Sequence, residues 1–283
     1  MKIAIYGAGR IGTMFAFHLA QAGHELTLIA RGSRLDELKR SPVIEMVDGR
    51  KANVNVCGEL DRATPWDLVL VTTLAHQVDA TLPALTACAA KKVMFMFNTV
   101  ESLDKLRAAV GPGRFEFSFP TVIAFLENGK LRGTVDGPGN GTTTTSAEWA
   151  AIFNAAKIPT EVVPDMESFL RSHAAFVIPM MAIGNTVSAR GRALSLSEAL
   201  RYARMLDEAF AIVRSLGNAI TPGFVVVLSK LPSLLVACVF WAASRAAAVT
   251  DLGKMGPAEV RALIDGFVQL APGQSAQLKA LRP

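Results

Sequence analysis

Cysteine is scarce in this chain of 283 residues. The three present, Cys57, Cys88 and Cys238, are odd in number and far apart, which leaves neither a disulfide framework nor a paired zinc-ligand motif. Their largely apolar neighbours predict buried thiols in a reducing compartment. Histidine is almost as sparse, and His18, His24, His76 and His173 show no metal-ligand spacing, so no metal is expected. Charged residues make up 19% of the chain with a net charge of +5. They form no basic run with interleaved aromatics, which argues against nucleic-acid binding. The longest apolar segment, Phe224 to Trp241, is interrupted by Lys230 and Pro232; it falls short of a membrane span and predicts a buried helix. The N-terminal apolar run is too short for a signal peptide, so a soluble, cytoplasmic protein is expected. What the chain does have is apolar side chains, 51% of the total, enough for one large domain or two of ordinary size.

The most informative stretch is Lys2 to Gly12, KIAIYGAGRIG. A short apolar run, Ile3 to Tyr6, leads into Gly7, Ala8, Gly9, Arg10, Ile11 and Gly12, and a helical pattern follows as far as Ala22. Strand, glycine turn and helix in that order form the setting in which a dinucleotide-binding GxGxxG works. The first glycine permits the tight turn, the second lets a pyrophosphate approach the backbone, and the third lets helix and strand pack closely. Unpaired N–H groups at the helix start favour the phosphates. The plainer alternative is an ordinary glycine-rich turn. Glu25 to Ala30 predicts the second strand, after which an enzyme that uses NAD usually places an acid to hold the ribose. Here Arg31 stands 19 residues beyond Gly12. A guanidinium suits a ribose 2′-phosphate through charge-assisted hydrogen bonds, so NADP(H) is favoured, against the alternative of a solvated loop arginine.

Strand and helix patterns alternate through the first part. Strands are predicted over Lys2–Tyr6, Glu25–Ala30, Val54–Val56, Asp67–Thr72 and Val93–Phe97, with Val43–Met46 pairing locally with Val54–Val56. Helices are predicted over Ile11–Ala22, Arg34–Arg40, His76–Ala89 and Glu101–Val110. Further strands follow over Phe115–Phe119, Thr121–Phe125 and Lys130–Val135, with turns at Glu127-Asn128-Gly129 and Asp136-Gly137-Pro138-Gly139. Ala147–Lys157 predicts a helix and Thr160–Val163 a last strand. From Met166 strand signals nearly vanish and helical patterns run to about Leu270. The expectation is an α/β fold: a doubly wound, mostly parallel N-terminal sheet over 1–165 that binds the nucleotide, then an all-helical C-terminal domain over 166–283. Substrate is expected between the two domains, and the apolar C-terminal helices suggest a homodimer.

With these residues laid out, the chain resembles the ketopantoate reductase (2-dehydropantoate 2-reductase) family. The opening glycine motif, Arg31, VTTLAHQ (Val71 to Gln77), FNTVESL (Phe97 to Leu103) and the stretch ending in Glu127-Asn128-Gly129 carry the likeness. The resemblance implies an N-terminal Rossmann domain, a helical C-terminal domain and NADPH-dependent reduction of a small-molecule 2-oxo acid or related carbonyl compound. It implies that Gly7 to Gly12, Arg31, Thr72, Thr73, Gln77 and Asn98 line the cofactor site, with Asn98 also near the substrate. On the residues alone, Asn98 reads equally as a helix cap, with Glu101 three positions on.

The chain also departs from the family. His173 stands at what looks like the family's catalytic lysine position, and Val177 and Met181 stand where its asparagines would follow. Leu74 replaces a second lysine, and Glu259 is a loose counterpart of the family's late glutamate. Carbonyl reduction needs a group that stabilises or protonates the developing alkoxide. His173 is the candidate, against a structural helix histidine. The apolar replacements count against ketopantoate as substrate. Asn185 and Ser188 are further candidates, beyond a kink expected at Pro179; Arg201 and Arg204, flanking Tyr202, suit a carboxylate or a solvated face. Three functions remain: a reductase of this type, a catalytically degenerate NADP-binding sensor, and a 6-phosphogluconate or 3-hydroxyacid dehydrogenase type lacking its lysine.

Overall fold

A computed structural model describes residues 1–127, 129–135, 141–253 and 257–283, with backbone alone at 250 and 251. Asn128 and the expected turn at 136–139 lie outside the described residues. The chain divides into two compact units, one of residues 1–97 and 103–166, the other of residues 98–102 and 167–283.

The first unit opens with β1 (Lys2–Tyr6), α1 (Arg10–Gln21), β2 (Glu25–Ile29), α2 (Gly32–Arg40), β3 (Val43–Glu45), β4 (Lys51–Asn53) and β5 (Asn55–Cys57). It continues through β6 (Leu68–Val71), α3 (Leu82–Ala87), β7 (Lys92–Phe95), α4 (Asp104–Val110), β8 (Phe115–Phe119), β9 (Ile123–Glu127), β10 (Lys130–Thr134), β11 (Thr142–Thr144), α5 (Ala147–Ala155) and β12 (Thr160–Val162). Eight strands form one sheet in the order β12-β11-β8-β7-β6-β1-β2-β5. From β5 to β8 neighbouring strands are parallel, and β11 turns antiparallel to β8. The central strands are apolar without alternation, β6 reading LVLV with all four residues buried, as strands covered on both faces must be. Strand order reverses at β1 and β6, and in an open parallel sheet such a switch point leaves a crevice at the carboxyl ends of the strands.

Several local expectations are corrected. The partner of β3 is β4, whereas β5 joins the main sheet beside β2. Gly49 at φ 88° closes the tight β3–β4 turn, and its Asp48 carboxylate accepts from the Arg50 N–H at 3.1 Å, which fixes the register. The expected helix over His76–Ala89 breaks into 3₁₀ turns at Ala75–Gln77 and Asp79–Thr81 before α3. Pro83 is the cause: proline fits only the first turn of a helix. Helix α4 starts at Asp104, not Glu101. Strand β11, its three threonines buried, was not expected at all.

The second unit is helical: α6 (Met166–Arg190), α7 (Leu196–Ser215), α8 (Gly223–Leu228), α9 (Ser233–Ala243), α10 (Ala247–Gly253), α11 (Ala258–Leu270) and α12 (Ala276–Ala280). The first residue of α6 is grouped with the first unit. Helix α6 runs unbroken through Pro179. A capping box starts α7, where the Ser195 hydroxyl accepts from the Glu198 N–H at 3.2 Å and the Glu198 carboxylate accepts from the Ser195 N–H at 2.8 Å. The expected buried helix over Phe224–Trp241 is instead two helices parted by Pro232, and Phe224, Val227, Leu234, Leu235, Val239 and Trp241 are all exposed. The thiols are free: Cys88 is buried as expected, Cys57 half-buried, and Cys238 exposed on α9. No helix among the described residues is long and apolar enough to cross a membrane.

Candidate functional site

The turn after β1 carries the geometry that the glycine spacing requires. Gly7 takes φ 116°, a left-handed conformation costly for any side chain. At Gly9 an added Cβ would meet nothing within 4 Å, so this part of the turn is open to a ligand. At Gly12 an added Cβ would lie 2.0 Å from the Gly7 carbonyl oxygen and 2.5 Å from Thr72 Oγ1; only glycine lets α1 sit this close. Helix α1 begins at Arg10, and no side chain caps its N-terminus, leaving its first N–H groups available to an anion. Ala8 is buried, Gly9 and Arg10 are exposed, and Ile11 is half-buried. A pyrophosphate at this turn therefore meets backbone rather than side chains.

Thr72 and Thr73 follow β6, across the switch point from this turn. The Thr72 hydroxyl donates to the Gly7 carbonyl at 2.8 Å, so Thr72 holds the turn in shape. Thr73 Oγ1 is buried with no partner, an orphaned polar atom of the kind a bound ligand satisfies. Gln77 Oε1 accepts from the Leu74 N–H at 3.4 Å, and both side chains are exposed.

Arg31 sits at the N-cap of α2. It donates to the Tyr6 hydroxyl at 2.7 Å, with its guanidinium carbon 5.7 Å from the centre of the Tyr6 ring. Arg34, one turn on, donates to the Ala8 carbonyl at 3.3 Å and pairs with Glu37 at 2.8 Å. Two guanidiniums thus flank the glycine turn at the end of β2. Arg34 and Tyr6 were missed from sequence, although the helical spacing of Arg34 from Arg31 was a readable sign.

In the second unit, residues 98–102 are pinned by the helices. Arg171 donates to the Val100 carbonyl at 2.9 Å, Ser102 donates to Glu167 at 3.2 Å, and Gly266 of α11 leaves room for Val100. Asn98 is not a helix cap. Its Nδ2 donates to Glu259 Oε1, in the first turn of α11, at 3.3 Å, and its Oδ1 is buried and unpartnered. The structure thereby gives Glu259, a loose match by sequence alone, a definite place beside Asn98.

His173 lies on α6 with its ring stacked on Phe169, centroids 6.1 Å apart. Burial pushes its pKa down to about 4. The imidazole is therefore neutral at pH 7, and the proton it retains there makes it an N–H hydrogen-bond donor. Asn185 Nδ2 is buried without a partner and, with Ser188 and Arg261, lines a 560 Å³ cavity. Arg201 and Arg204 are exposed, and Tyr202 is buried with its hydroxyl 2.7 Å from Thr186 Oγ1. Among the described residues no three His, Cys, Asp or Glu side chains are grouped to hold a metal ion.

The sequence profile of the ketopantoate reductase PanE/ApbA family matches residues 3–147. That stretch is just over half of the chain. The chain belongs to the ketopantoate reductase family. It is similar to the 2-dehydropantoate 2-reductase of Vibrio cholerae serotype O1, with 25% identity over 60% of this chain and 58% of that protein. It is also similar to the 2-dehydropantoate 2-reductase of Pyrococcus horikoshii, with 37% identity over 29% of this chain and 27% of that protein. The matched stretches thus span under two thirds of these relatives' lengths. In fold, the chain is similar to a PanE/ApbA family ketopantoate reductase from Ralstonia eutropha (TM-score 0.71, 21% identity, covering 100% of this chain and 96% of the other). It is similar too to D-mandelate dehydrogenase in complex with NADH (TM-score 0.75, 13% identity, 99% and 96%). These neighbours bear out the Rossmann-like sheet followed by a helical region.

Proposed function

We propose that this protein is an NADPH-dependent oxidoreductase that reduces a small 2-oxo acid whose side chain is largely apolar. The observation that carries the reading is the glycine turn: open at Gly9, closed on itself at Gly12, and flanked by Arg31 and Arg34. In this reading the N–H groups at the start of α1 hold the pyrophosphate, the two guanidiniums hold the 2′-phosphate, and Thr73 Oγ1 gains its missing partner. Bound NADPH supplies the hydride. Asn98, with its orphaned Oδ1 and its amide fixed by Glu259, orients substrate. His173, neutral at pH 7, donates an N–H hydrogen bond that polarises the carbonyl, as a neutral imidazole can. Val177 is half-buried and Met181 lies in the core of the helical unit, so neither offers the hydrogen bonds to substrate hydroxyls that the family's asparagines would, which favours an apolar or aromatic 2-oxo acid over ketopantoate. The mandelate-type neighbour supports that preference.

The test is a panel of 2-oxo acids, ketopantoate and aryl 2-oxo acids among them, followed by the loss of the reduced nicotinamide's absorbance. Turnover that falls at least about tenfold in His173→Ala supports the reading. A second reading, a nucleotide-binding sensor, is favoured by one observation: Leu74, exposed at 55%, and His173 stand where the resemblance puts lysines. Tight NADPH binding without turnover of any panel member would establish it.

We also propose that two copies pair through α8 and α9. Helix α9 carries no charged residue, so its exposed face can meet its own copy without like-charge repulsion. The six exposed apolar side chains offer roughly 500 Å², about the apolar share of a standard ~800 Å² half-interface. A ketopantoate reductase of Staphylococcus aureus with this fold is described as dimeric. Sedimentation velocity should show a dimer that Leu235→Glu converts to monomer; a monomeric wild type contradicts the proposal.

A further inference from the structure

Tyr6 is the last residue of β1 and is 7% exposed. In the β1–β2 register it lies opposite Ile29, two residues before Arg31. Its hydroxyl accepts a hydrogen bond from Arg31 Nη2 at 2.7 Å. Arg31 is otherwise exposed and pairs with no carboxylate among the described residues, whereas Arg34 beside it is partly neutralised by Glu37 at 2.8 Å. A free arginine samples many rotamers and loses that freedom on binding a ligand. A carboxylate holding Arg31 would remove the freedom but also quench the charge. A phenol removes the freedom and leaves the charge intact, because its oxygen is a neutral acceptor. One of the guanidinium's five N–H groups is then used, and the other four remain for a phosphate.

We propose that Tyr6 is a positioning residue for nucleotide choice: it holds Arg31 ready at the end of β2, so that the protein prefers a ribose 2′-phosphate to a free 2′-hydroxyl. The inference rests on the reading of the glycine turn as a nicotinamide-nucleotide site. It concerns affinity before any chemistry and so is independent of which carbonyl compound is reduced. Tyr6→Phe isolates the effect, since the buried ring and its contact with the guanidinium stay and only the acceptor is lost. Loss of one hydrogen bond of this kind, from an exposed guanidinium to a phenol, corresponds to about a three- to tenfold change in affinity.

The experiment is a fluorescence titration of wild type, Tyr6→Phe, Arg31→Ala and the double variant with NADPH and with NADH. NADH serves as the internal control for folding. Tyr6→Phe should weaken NADPH binding about three- to tenfold and leave NADH binding unchanged. In the Arg31→Ala background the same substitution should change nothing, which a general packing role for Tyr6 would not produce. Preferential NADPH binding by wild type that Tyr6→Phe leaves intact overturns the inference and spares the nucleotide reading. Equal loss of both nucleotides in Tyr6→Phe also overturns the inference. A wild type that binds neither nucleotide overturns the reading itself, and the inference with it.

Discussion

Gly12 is the residue on which the geometry of the glycine turn depends most. A Cβ there would sit 2.0 Å from the Gly7 carbonyl oxygen, which the Thr72 hydroxyl holds in place, so α1 or the turn must shift. Gly12→Ala is expected to cost about 1–3 kcal/mol of stability, whereas Gly9→Ala, whose Cβ meets no protein atom but enters the space read as the pyrophosphate's, should leave stability nearly unchanged and weaken NADPH binding; urea unfolding and nucleotide titration of the two variants check this. His173 makes a pH prediction. Its folded pKa of about 4 lies below the ordinary value of 6.5, so as pH falls from 6.5 towards 4 the unfolded chain takes up a proton that the folded chain refuses. The neutral ring's contribution is therefore complete above pH 6.5 and is lost through that window, by up to roughly 3 kcal/mol. His173→Gln should flatten the fall in stability between pH 7 and pH 4.5, measured by urea midpoints; an unchanged slope would show that the ring is not held neutral. The glycines and Arg31 were legible because their spacing is local. Tyr6 was not, because its meeting with Arg31 depends on β1 and β2 lying in register.

At the scale of elements, the strands buried on both faces were the most legible, since a short continuous apolar run such as LVLV, bounded by turns, suits little besides a strand covered on both sides. Boundaries failed where a backbone rule competed with periodicity: Pro83 broke a helical pattern, and the tight turn at Gly49 chose a different hairpin partner. A helix was expected from Glu101 because Asn98 and Glu101 imitate a cap, whereas Arg171 and Gly266, both more than 70 residues from Val100, decide where residues 98–102 lie. Such long-range partners leave no periodic trace. Helix α7, by contrast, starts at a capping box. Ser195→Ala should cost about 1 kcal/mol, read as a lower thermal midpoint with nucleotide affinity unchanged; a loss of nucleotide affinity would mean that the cap does more than start the helix.

For the whole molecule, the α/β class and the following helical region were legible from the alternation of patterns and its abrupt end. The exposed apolar face of α8 and α9 was not, since composition alone reads an uncharged helix as buried. Family membership and fold agree on a Rossmann-like sheet, and the residues that would complete the proposed chemistry are where this chain departs from the pattern. The central claim is accordingly the nucleotide site. Its most direct test is calorimetric titration of the wild-type protein with NADPH and NADH, repeated for Arg31→Ala. The account predicts 1:1 binding of NADPH at least about tenfold tighter than NADH, a preference that Arg31→Ala abolishes. No binding of either nucleotide, or a preference that survives the loss of Arg31, would contradict it.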